Sequence, residues 1–360
     1  MTTFRRKRTR MRHSKEELLS DPTRPFPIDG ETSASAILEK MRYVGFQGRQ
    51  MGRAFDVWKQ MLADPECTIL MGMSGAMVPG GMRNVVKFMI ENRLIDVLTS
   101  TGANFFHDIH ESKGFHHYLG NPEMDDENLG DHMVDRMYDI LADEVRFREH
   151  DLWIGSFASR LDQSRPYTTR EFLYLLGQEV GRDCQAEGIV TTAAKVGLPL
   201  FCPAIGDSSI GIGVAESRHR GENRLMFDMM GDILEITNVV ADSKATGVIY
   251  FGGGTPKNYV QQTEVVAILM NKNKSGHRYG IQVVTDAPHW GGLSGCTFEE
   301  SQSWGKLAKG AQMVNCHCDS TIGMPLLVSA ISEQKELIAN RKPPAYDMGS
   351  VLKIQPSYAG

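Results

Sequence analysis

Short apolar segments alternate with longer amphipathic segments along most of this chain. The apolar segments have the length of buried strands, and most of them run into glycine, serine, threonine or proline. They lie at 68–71, 95–99, 198–202, 247–251, 280–284 and 312–316. Stretches with helical periodicity lie at 82–92, 127–149, 169–184, 224–240, 257–269, 299–307 and 326–337. This repetition predicts an α/β fold built on a doubly wound, mostly parallel sheet.

The two ends of the chain depart from this pattern. Residues 5–12 are mostly arginine and lysine, and three prolines within Asp21–Pro27 exclude a regular helix or a central strand there. We therefore assign residues 1–30 to a basic, proline-containing flexible arm, 31–345 to a single α/β domain and 346–360 to a C-terminal tail. At 33–64, apolar positions at helical intervals predict two helices, broken near a group of three glycines.

Composition narrows the class of protein. The 360 residues are 41% hydrophobic and 23% charged, with a net charge of -5, which is typical of a soluble globular protein. No apolar run approaches the roughly 20 residues of a membrane helix, and the six cysteines form no disulfide framework. We expect a cytoplasmic protein without membrane contact. Because the whole chain is acidic, with a pI near 6.1, the basic run is interpreted as a solvated tail rather than a nucleic-acid site.

The turns that follow the predicted strands contain the candidate chemistry. In a doubly wound sheet, ligands bind outside the carboxyl ends of the strands. Five such turns are rich in glycine and small hydroxyl residues: 72–76, 100–104, 203–211, 252–257 and 285–295. They allow backbone amides to approach a pyrophosphate at helix N-termini. We therefore expect a dinucleotide, although neither the Walker lysine spacing nor a G-x-G-x-x-G after the first strand is present.

Three motifs resemble the deoxyhypusine synthase family, including its bacterial-type members. They are Ser303-Trp304-Gly305-Lys306 between Glu299-Glu300 and Cys318-Asp319-Ser320, the run CPAIGDSSIG at 202–211, and GGGTPK at 252–257. The likeness extends from about Gly45 to about Leu327. It implies a Rossmann-like, NAD-binding fold and a homotetramer with sites at subunit interfaces.

The same resemblance implies a reaction. In the family, NAD takes a hydride from spermidine, diaminopropane leaves, and the butylimine passes to a lysine and then to an acceptor amine, after which the hydride returns. By position, Lys306 would be the catalytic lysine, and Trp304 and Glu300 would bind the polyamine. The positions implied to hold the cofactor are Thr101, Asp207, Ser209, Gly252, Gly253, Gly254 and Asp319.

The residue types agree with this chemistry. A lysine forms an imine only as the neutral amine, so its pKa, ordinarily about 10.4, must be lowered by desolvation or nearby cations. An indole face such as that of Trp304 attracts an alkylammonium by about 0.5 to 2 kcal/mol, and Glu300 would fix the cation. On a single helix, Glu300 and Trp304 would lie on the same face because they are four residues apart, whereas Lys306 would lie on a different face. Either the helix ends near Gly305, or Lys306 reaches the ligand from its side.

Other interpretations of individual residues remain open. Asp319 is in the position of a helix N-cap. The triplet Cys316-His317-Cys318 has no second ligand pair at metal spacing, so no metal is expected. The stretch His107–Glu111 and the pair His116-His117 would supply cofactor contacts or polar surface, and one of these histidines would be able to shuttle a proton.

Several positions depart from the family pattern. Asn258 stands where members that modify a protein typically carry histidine, and Ile212 and Leu293 stand where they carry acidic residues. Phe105 and Phe106 replace paired glutamates. Desolvating an ammonium without a carboxylate costs several kcal/mol, so we expect the lysine chemistry and NAD to persist while the amine donor or acceptor has changed.

The acceptor would be a small diamine, as in homospermidine formation, or a lysine of a translation factor. The replacement anions that the chain offers are Asp286, Asp108 and Glu264. Two rival functions are a non-catalytic NAD- or polyamine-binding protein and an NAD-dependent protein deacylase. The deacylase would require a zinc ribbon of paired C-x-x-C motifs, which the sequence lacks.

Overall fold

The computed structural model describes residues 14–30, 33–272 and 275–355, so the basic run at 5–12 lies outside the described residues. The strands are β1 Cys67–Met73, β2 Val97–Ser100, β3 Tyr118–Leu119, β4 Val134–Met137, β5 Ile140–Asp143, β6 Leu200–Phe201, β7 Ala245–Phe251, β8 His277–Val284, β9 Leu307–His317, β10 Ala345–Asp347 and β11 Lys353–Gln355. The helices are α1 Lys15–Leu18, α2 Ala34–Met41, α3 Phe46–Ala63, α4 Arg83–Glu91, α5 Gly102–Ser112, α6 Asp126–Asp131, α7 Glu144–Ser159, α8 Thr169–Val180, α9 Ile189–Val196, α10 Ser209–His219, α11 Met229–Asp242, α12 Gly254–Leu269, α13 Phe298–Gln302, α14 Ser320–Ser332 and α15 Lys335–Asn340.

The central sheet contains six parallel strands in the order β6-β2-β1-β7-β8-β9. All six are strands predicted from the apolar segments. Counted along the chain within this sheet, the order is 3-2-1-4-5-6, the doubly wound Rossmann arrangement, in which the direction of winding reverses between β1 and β7. The predicted fold class is confirmed, and the crevice expected to hold a ligand lies at the carboxyl ends of those two strands.

Both faces of the sheet are covered, which explains the unbroken apolar runs of its central strands. In β1, Ile69 and Met71 pack in one hydrophobic cluster with residues of α3 and α14, whereas Leu70 packs in a second cluster with residues of α11 and α12. Every residue of β1 and β7 is buried. A strand buried on both faces has no polar face to alternate with, so its sequence is continuously apolar.

The amphipathic pattern is less reliable for helices. The two helices expected within 33–64 correspond to α2 and α3, with Gly45 as the N-cap of α3. The helix predicted at 127–149 is wrong, because α6 is followed there by the antiparallel strands β4 and β5 before α7 begins. Met133 (φ 57°), between α6 and β4, and Tyr138 (φ 57°), between β4 and β5, have left-handed backbone, which interrupts a helix. The stretch at 326–337 likewise divides between α14 and α15.

The chain ends that we assigned to an arm and a tail contain some regular structure. In the arm, α1 is a single exposed turn, and no helix or strand forms in the described residues 19–30. In the C-terminal segment, β10 and β11 form a hairpin whose Leu352 amide donates to Glu235 Oε1 at 2.8 Å. Met348 and Leu352 are buried there, so this part of the segment packs against the domain. Among the described helices, none combines the length and apolarity that crossing a bilayer requires.

Candidate active site

The glycine turn after β7 is closely packed against a second loop. Gly252 (φ 79°) and Gly254 (φ 58°) have left-handed backbone that favours glycine. A Cβ on Gly253 would lie 2.4 Å from Ser294 Cα. The Gly254 amide donates to Ser294 Oγ at 3.0 Å. The loop that contains Ser294 therefore lies directly on the turn that starts α12.

The turn after β1 contacts this glycine turn, and the turns after β2 and β6 follow it in a series of contacts. Ser74 Oγ donates to the Gly253 carbonyl. Thr101, the N-cap of α5, donates from Oγ1 to the Gly75 carbonyl at 2.9 Å. A Cβ on Gly102 would lie 2.2 Å from Ser208 Oγ. The carboxyl ends of four parallel strands thus form one continuous surface of turns.

The remaining residues proposed to hold a cofactor lie at the same edge of the sheet. Asp207 is exposed in the turn after β6, and Ser209 is the first residue of α10. Asp319 is the exposed N-cap of α14, and its Oδ1 accepts from the Thr321 amide at 2.7 Å. The N-cap interpretation of Asp319 is therefore confirmed. The helix N-termini that meet at this edge fit the pyrophosphate of a dinucleotide.

The backbone of Lys306 lies at the amino-terminal end of β9, whereas the turns described above lie at the carboxyl ends of the strands. Helix α13 ends at Gln302, Gly305 has left-handed backbone (φ 73°), and Lys306 directly precedes β9. The prediction that the helix ends near Gly305 is confirmed. Trp304 is 67% exposed, and its ring centroid lies 5.9 Å from Lys306 Nζ. Glu300 is exposed on α13, so both side chains implied to bind the polyamine are open to solvent.

The Lys306 amine is held by an uncharged partner. Its Nζ donates to Asn258 Oδ1 at 3.0 Å, and Asn258 lies on α12 four residues after Gly254. Burial lowers the pKa of Lys306 below its ordinary 10.5, while Cys296 and Glu300 act in the opposite direction. A neutral amide oxygen stabilises the ammonium form less than a carboxylate would, so this hydrogen bond opposes loss of the proton less than an ion pair would.

A second lysine, Lys257, lies beside the first and was absent from the predicted site. It is fully buried, and its Nζ donates to the carbonyls of Cys296 at 2.5 Å and Leu293 at 3.4 Å. The pKa of Lys257 is lowered to about 8, chiefly by burial and also by the charge of Lys306, while Cys296 and Glu300 act in the opposite direction. Its position in the GGGTPK turn was the available signal. Lys257 fastens the loop that contains Leu293 to α12.

An uncharged cavity of about 460 Å³ opens between α11 and α12 next to Asn258. Its lining consists of Ile233, Ile236, Thr237, Thr255, Asn258, Tyr259, Gln262, Thr263, Val265, Val266, Leu269 and Leu293. Because Asn258 also receives the Lys306 hydrogen bond, the cavity and the lysine are parts of one site.

Two of the three suggested replacement anions are used elsewhere. Asp108 is buried against Arg83, with Oδ1 2.8 Å from Arg83 Nε. Glu264 is buried farther along α12, where Oε2 accepts from the Gly276 amide at 3.1 Å. Asp286 is exposed after β8. Neither buried carboxylate is available to hold an ammonium beside Lys306.

The histidines near α5 form a cluster rather than polar surface. His117 Nε2 lies 2.9 Å from His107 Nδ1, and His110 Nδ1 lies 3.1 Å from His150 Nδ1. His107, His110 and His150 are buried. Within the described residues, no group of three or more histidine, cysteine, aspartate or glutamate side chains is arranged to hold a metal.

Comparison with known proteins gives a consistent result. The deoxyhypusine synthase family model matches residues 36–331. A Methanosarcina mazei protein named probable deoxyhypusine synthase 2 is 46% identical over 323 residues, covering 89% of this chain and 93% of that protein. Its namesake from Archaeoglobus fulgidus is 46% identical over 292 residues, with coverages of 81% and 95%.

More distant relatives agree with these. A Coxiella burnetii deoxyhypusine synthase-like protein is 33% identical over 320 residues, covering 88% of this chain and 90% of that protein. A crystal structure from Entamoeba histolytica, described as a deoxyhypusine synthase, superimposes with a TM-score of 0.57 at 19% identity and covers 86% of this chain and 95% of that one. At such identity the superposition supports the fold alone. The family model and the relatives at 46% identity span most of the sequence, and the chain therefore belongs to the deoxyhypusine synthase family of aminobutyl transferases.

Proposed function

We propose that this protein is an NAD-dependent transferase that moves an aminobutyl group from spermidine, or a related alkylamine, to an acceptor amine through an imine on Lys306. The observation that carries the proposal is the state of that lysine. Its amine is partly buried, its pKa is lowered, and it donates to the neutral oxygen of Asn258. A lowered pKa increases the fraction of neutral amine, which is the form that acts as a nucleophile.

Lys306 and the side chains near it would have different roles in this transfer. Nζ attacks the imine carbon of the oxidised donor, the bond from that carbon to the leaving amine breaks, and the departing amine carries away the proton. Trp304 offers an aromatic face to the alkylammonium, and Glu300 offers a charge that orients it. NAD, when bound, would accept a hydride from the amine that donates the aminobutyl group and would return it to the product.

The cofactor would be held at the carboxyl edge of the sheet. The glycine turn Gly252, Gly253 and Gly254 offers close backbone approach, and Thr101 lies on the adjoining turn. Asp207, Ser209 and Asp319 would complete this set. Their support is location, since each lies in or next to a strand-to-helix turn at that edge.

The acceptor amine would be a small diamine, as in homospermidine formation, or a lysine of a translation factor. Two positions near the site carry apolar side chains where the family pattern has acidic ones. Leu293 lines the cavity next to Asn258, and Ile212 is 56% exposed on α10. Neither side chain pairs with an ammonium, so a polycation would bind less tightly here than in an acidic pocket.

A homotetramer with sites at subunit interfaces would account for four large apolar side chains that are exposed in the single chain. Trp304, Trp290, Leu269 and Ile268 are all exposed large apolar side chains. Exposed apolar groups that border a site are typical of protein interfaces. Light scattering on the purified protein tests this proposal, and a monomer at working concentration would contradict it. A cytoplasmic location agrees with the six cysteines, all of which are free.

Covalent trapping tests the central step. Incubation with NAD and spermidine, followed by borohydride reduction, should leave an added aminobutyl mass on the peptide that contains Lys306. Lys306→Ala should abolish trapping and release of diaminopropane. Lys309→Ala removes an exposed lysine three residues away on β9 and should leave both unchanged. Normal turnover by Lys306→Ala would overturn the proposal, as would an adduct on another residue.

A further inference from the structure

Trp290 is a large aromatic side chain that the fold leaves in solvent at the carboxyl edge of the sheet. It ends the short 3₁₀ helix Pro288–Trp290, which follows β8, and the residue is 77% exposed. Tryptophan side chains typically bury about 150–250 Å² of surface in cores and interfaces. An indole this exposed therefore has a surface that a ligand can cover.

The loop that presents this indole is fastened at both of its ends. Gln282 Nε2, on β8, donates to the Ser294 carbonyl at 2.7 Å, and the Gly254 amide donates to Ser294 Oγ at 3.0 Å. A Cβ on Gly295 would lie 2.5 Å from the Ala287 carbonyl oxygen, so the two ends of the loop are in close contact. The indole thus projects from a loop that is packed on the glycine turn.

Short-range contacts orient the indole on this loop. The His289 ring lies beside the Trp290 ring, with centroids 4.6 Å apart and an angle of 45° between the planes. The Gly291 amide donates to the Pro288 carbonyl at 3.2 Å, and Gly291 has left-handed backbone (φ 70°) that closes the turn. The imidazole contacts the indole but leaves most of its surface in solvent.

The position of the loop indicates which planar group covers the indole. Ser294 bonds to the first amide of α12, at the helix N-terminus where a pyrophosphate would bind. Trp290 precedes Ser294 by four residues, a length of chain that spans at most about 14 Å. The indole therefore lies in the neighbourhood of a ribose and base attached to that pyrophosphate. Stacking of a base on an aromatic side chain strengthens binding about 5- to 150-fold.

We propose that Trp290 stacks on a base of the bound dinucleotide, adenine or nicotinamide, and so fixes the cofactor at the carboxyl edge of the sheet. This inference rests on the proposed NAD-dependent function and adds a residue that the family resemblance does not assign. Trp290 is also among the exposed apolar side chains of the proposed subunit interface. Stacking requires an aromatic ring, whereas an interface requires only apolar surface, so the two roles are distinguishable.

Binding of NAD without any amine separates this contact from the chemistry of Lys306. In calorimetry, Trp290→Leu retains an apolar side chain but lacks the ring, and its Kd for NAD should be at least fivefold above that of the parent. Trp290→Phe should lose less affinity. Tyr138→Leu removes a ring that is 73% exposed between β4 and β5 and should leave the Kd unchanged. ADP-ribose and nicotinamide mononucleotide identify the base, since Trp290→Leu should weaken only the one that carries it.

A second control separates stacking from subunit contact. Ile268→Ala removes exposed apolar surface of the same proposed interface and should leave the Kd for NAD unchanged, whatever subunit number light scattering gives. Equal Kd values for the parent and Trp290→Leu would overturn the inference, as would an equal loss of affinity in Trp290→Leu and Ile268→Ala. A parent protein that binds no NAD would instead contradict the proposed function itself.

Discussion

Asn258 is a hydrogen-bond partner of the Lys306 amine. The amide oxygen fixes the amine at 3.0 Å but contributes no full charge. Burial therefore lowers the pKa of Lys306, with only the exposed Glu300 and the thiol of Cys296 opposing it. A carboxylate at position 258 would reverse this balance, because an opposite charge at hydrogen-bond distance stabilises the ammonium.

Asn258→Asp should therefore raise the pKa of Lys306, by about 1–3 units. The observable is the pH dependence of borohydride trapping, which should shift to higher pH while the plateau at high pH is retained. Asn128→Asp on α6 adds the same charge in a different part of the fold and should not shift the curve. An unchanged profile for Asn258→Asp would show that residue 258 does not influence the amine.

Gly253 permits the contact between the glycine turn and the Ser294 loop. In Gly253→Ala the new Cβ would lie 2.4 Å from Ser294 Cα, so the loop must move. We expect a loss of about 1–3 kcal/mol in the free energy of unfolding, measured in urea, and weaker binding of NAD. Gly292→Ala places its Cβ in open space and should have little effect on either quantity. Equal stabilities of the two variants would contradict this packing argument.

At the scale of elements, strands could be predicted from the sequence better than helices. The six apolar segments became the six strands of the main sheet because burial on both faces leaves a continuous apolar signal. Helices α5 and α10 were missed because they begin inside segments rich in glycine and serine that resemble turns. The contact between Lys306 and Asn258 joins residues 48 positions apart, and no local pattern encodes it.

The histidine cluster between α5 and α7 should make the fold sensitive to acid. Burial lowers the pKa of His107 and His110 to about 3 and that of His150 to about 4, from an ordinary 6.5. Between these values and 6.5 the unfolded chain binds more protons than the folded one. Stability is therefore lost as the pH falls below 6.5, by up to about 1.4 kcal/mol per pH unit for each ring.

Urea denaturation between pH 7 and pH 4.5 measures this slope. Carboxylates also contribute to acid denaturation, so the informative quantity is the difference between variants. His150→Gln should reduce the pH dependence of the free energy of unfolding by about the contribution of one histidine ring. His219→Gln removes an exposed histidine on α10 and should leave the slope unchanged. A steeper or identical slope for His150→Gln would contradict the assignment.

At the scale of the whole molecule, one buried ion pair ties three separate elements together. Arg170 on α8 pairs with Glu235 on α11 at 2.8 Å and donates to the Met348 carbonyl at 3.1 Å. Glu235 in turn accepts from the Leu352 amide. The C-terminal hairpin is thereby attached to α8 and to α11, and α11 lines the uncharged cavity.

Glu235→Gln should leave the Arg170 charge buried without its partner, at a cost of about 3–5 kcal/mol in the free energy of unfolding. Relative to the parent protein, the variant should show faster hydrogen exchange of the amides in β10 and β11. Exchange in the central strands should increase less. Glu336→Gln, an exposed change on α15, serves as the control. Unaltered protection of the hairpin would show that other contacts hold it.

The placement of Lys306 just before β9 has an evolutionary consequence. The proposed nucleophile is anchored to the sheet at one edge, whereas residues 212 and 293 lie on the helix and loop that follow other strands. Substitutions in those segments would therefore alter which amine is admitted without displacing the lysine that we propose to be covalently modified. A change of substrate within this fold would then require only substitutions in the segments that contain residues 212 and 293. The proposed covalent chemistry would be retained.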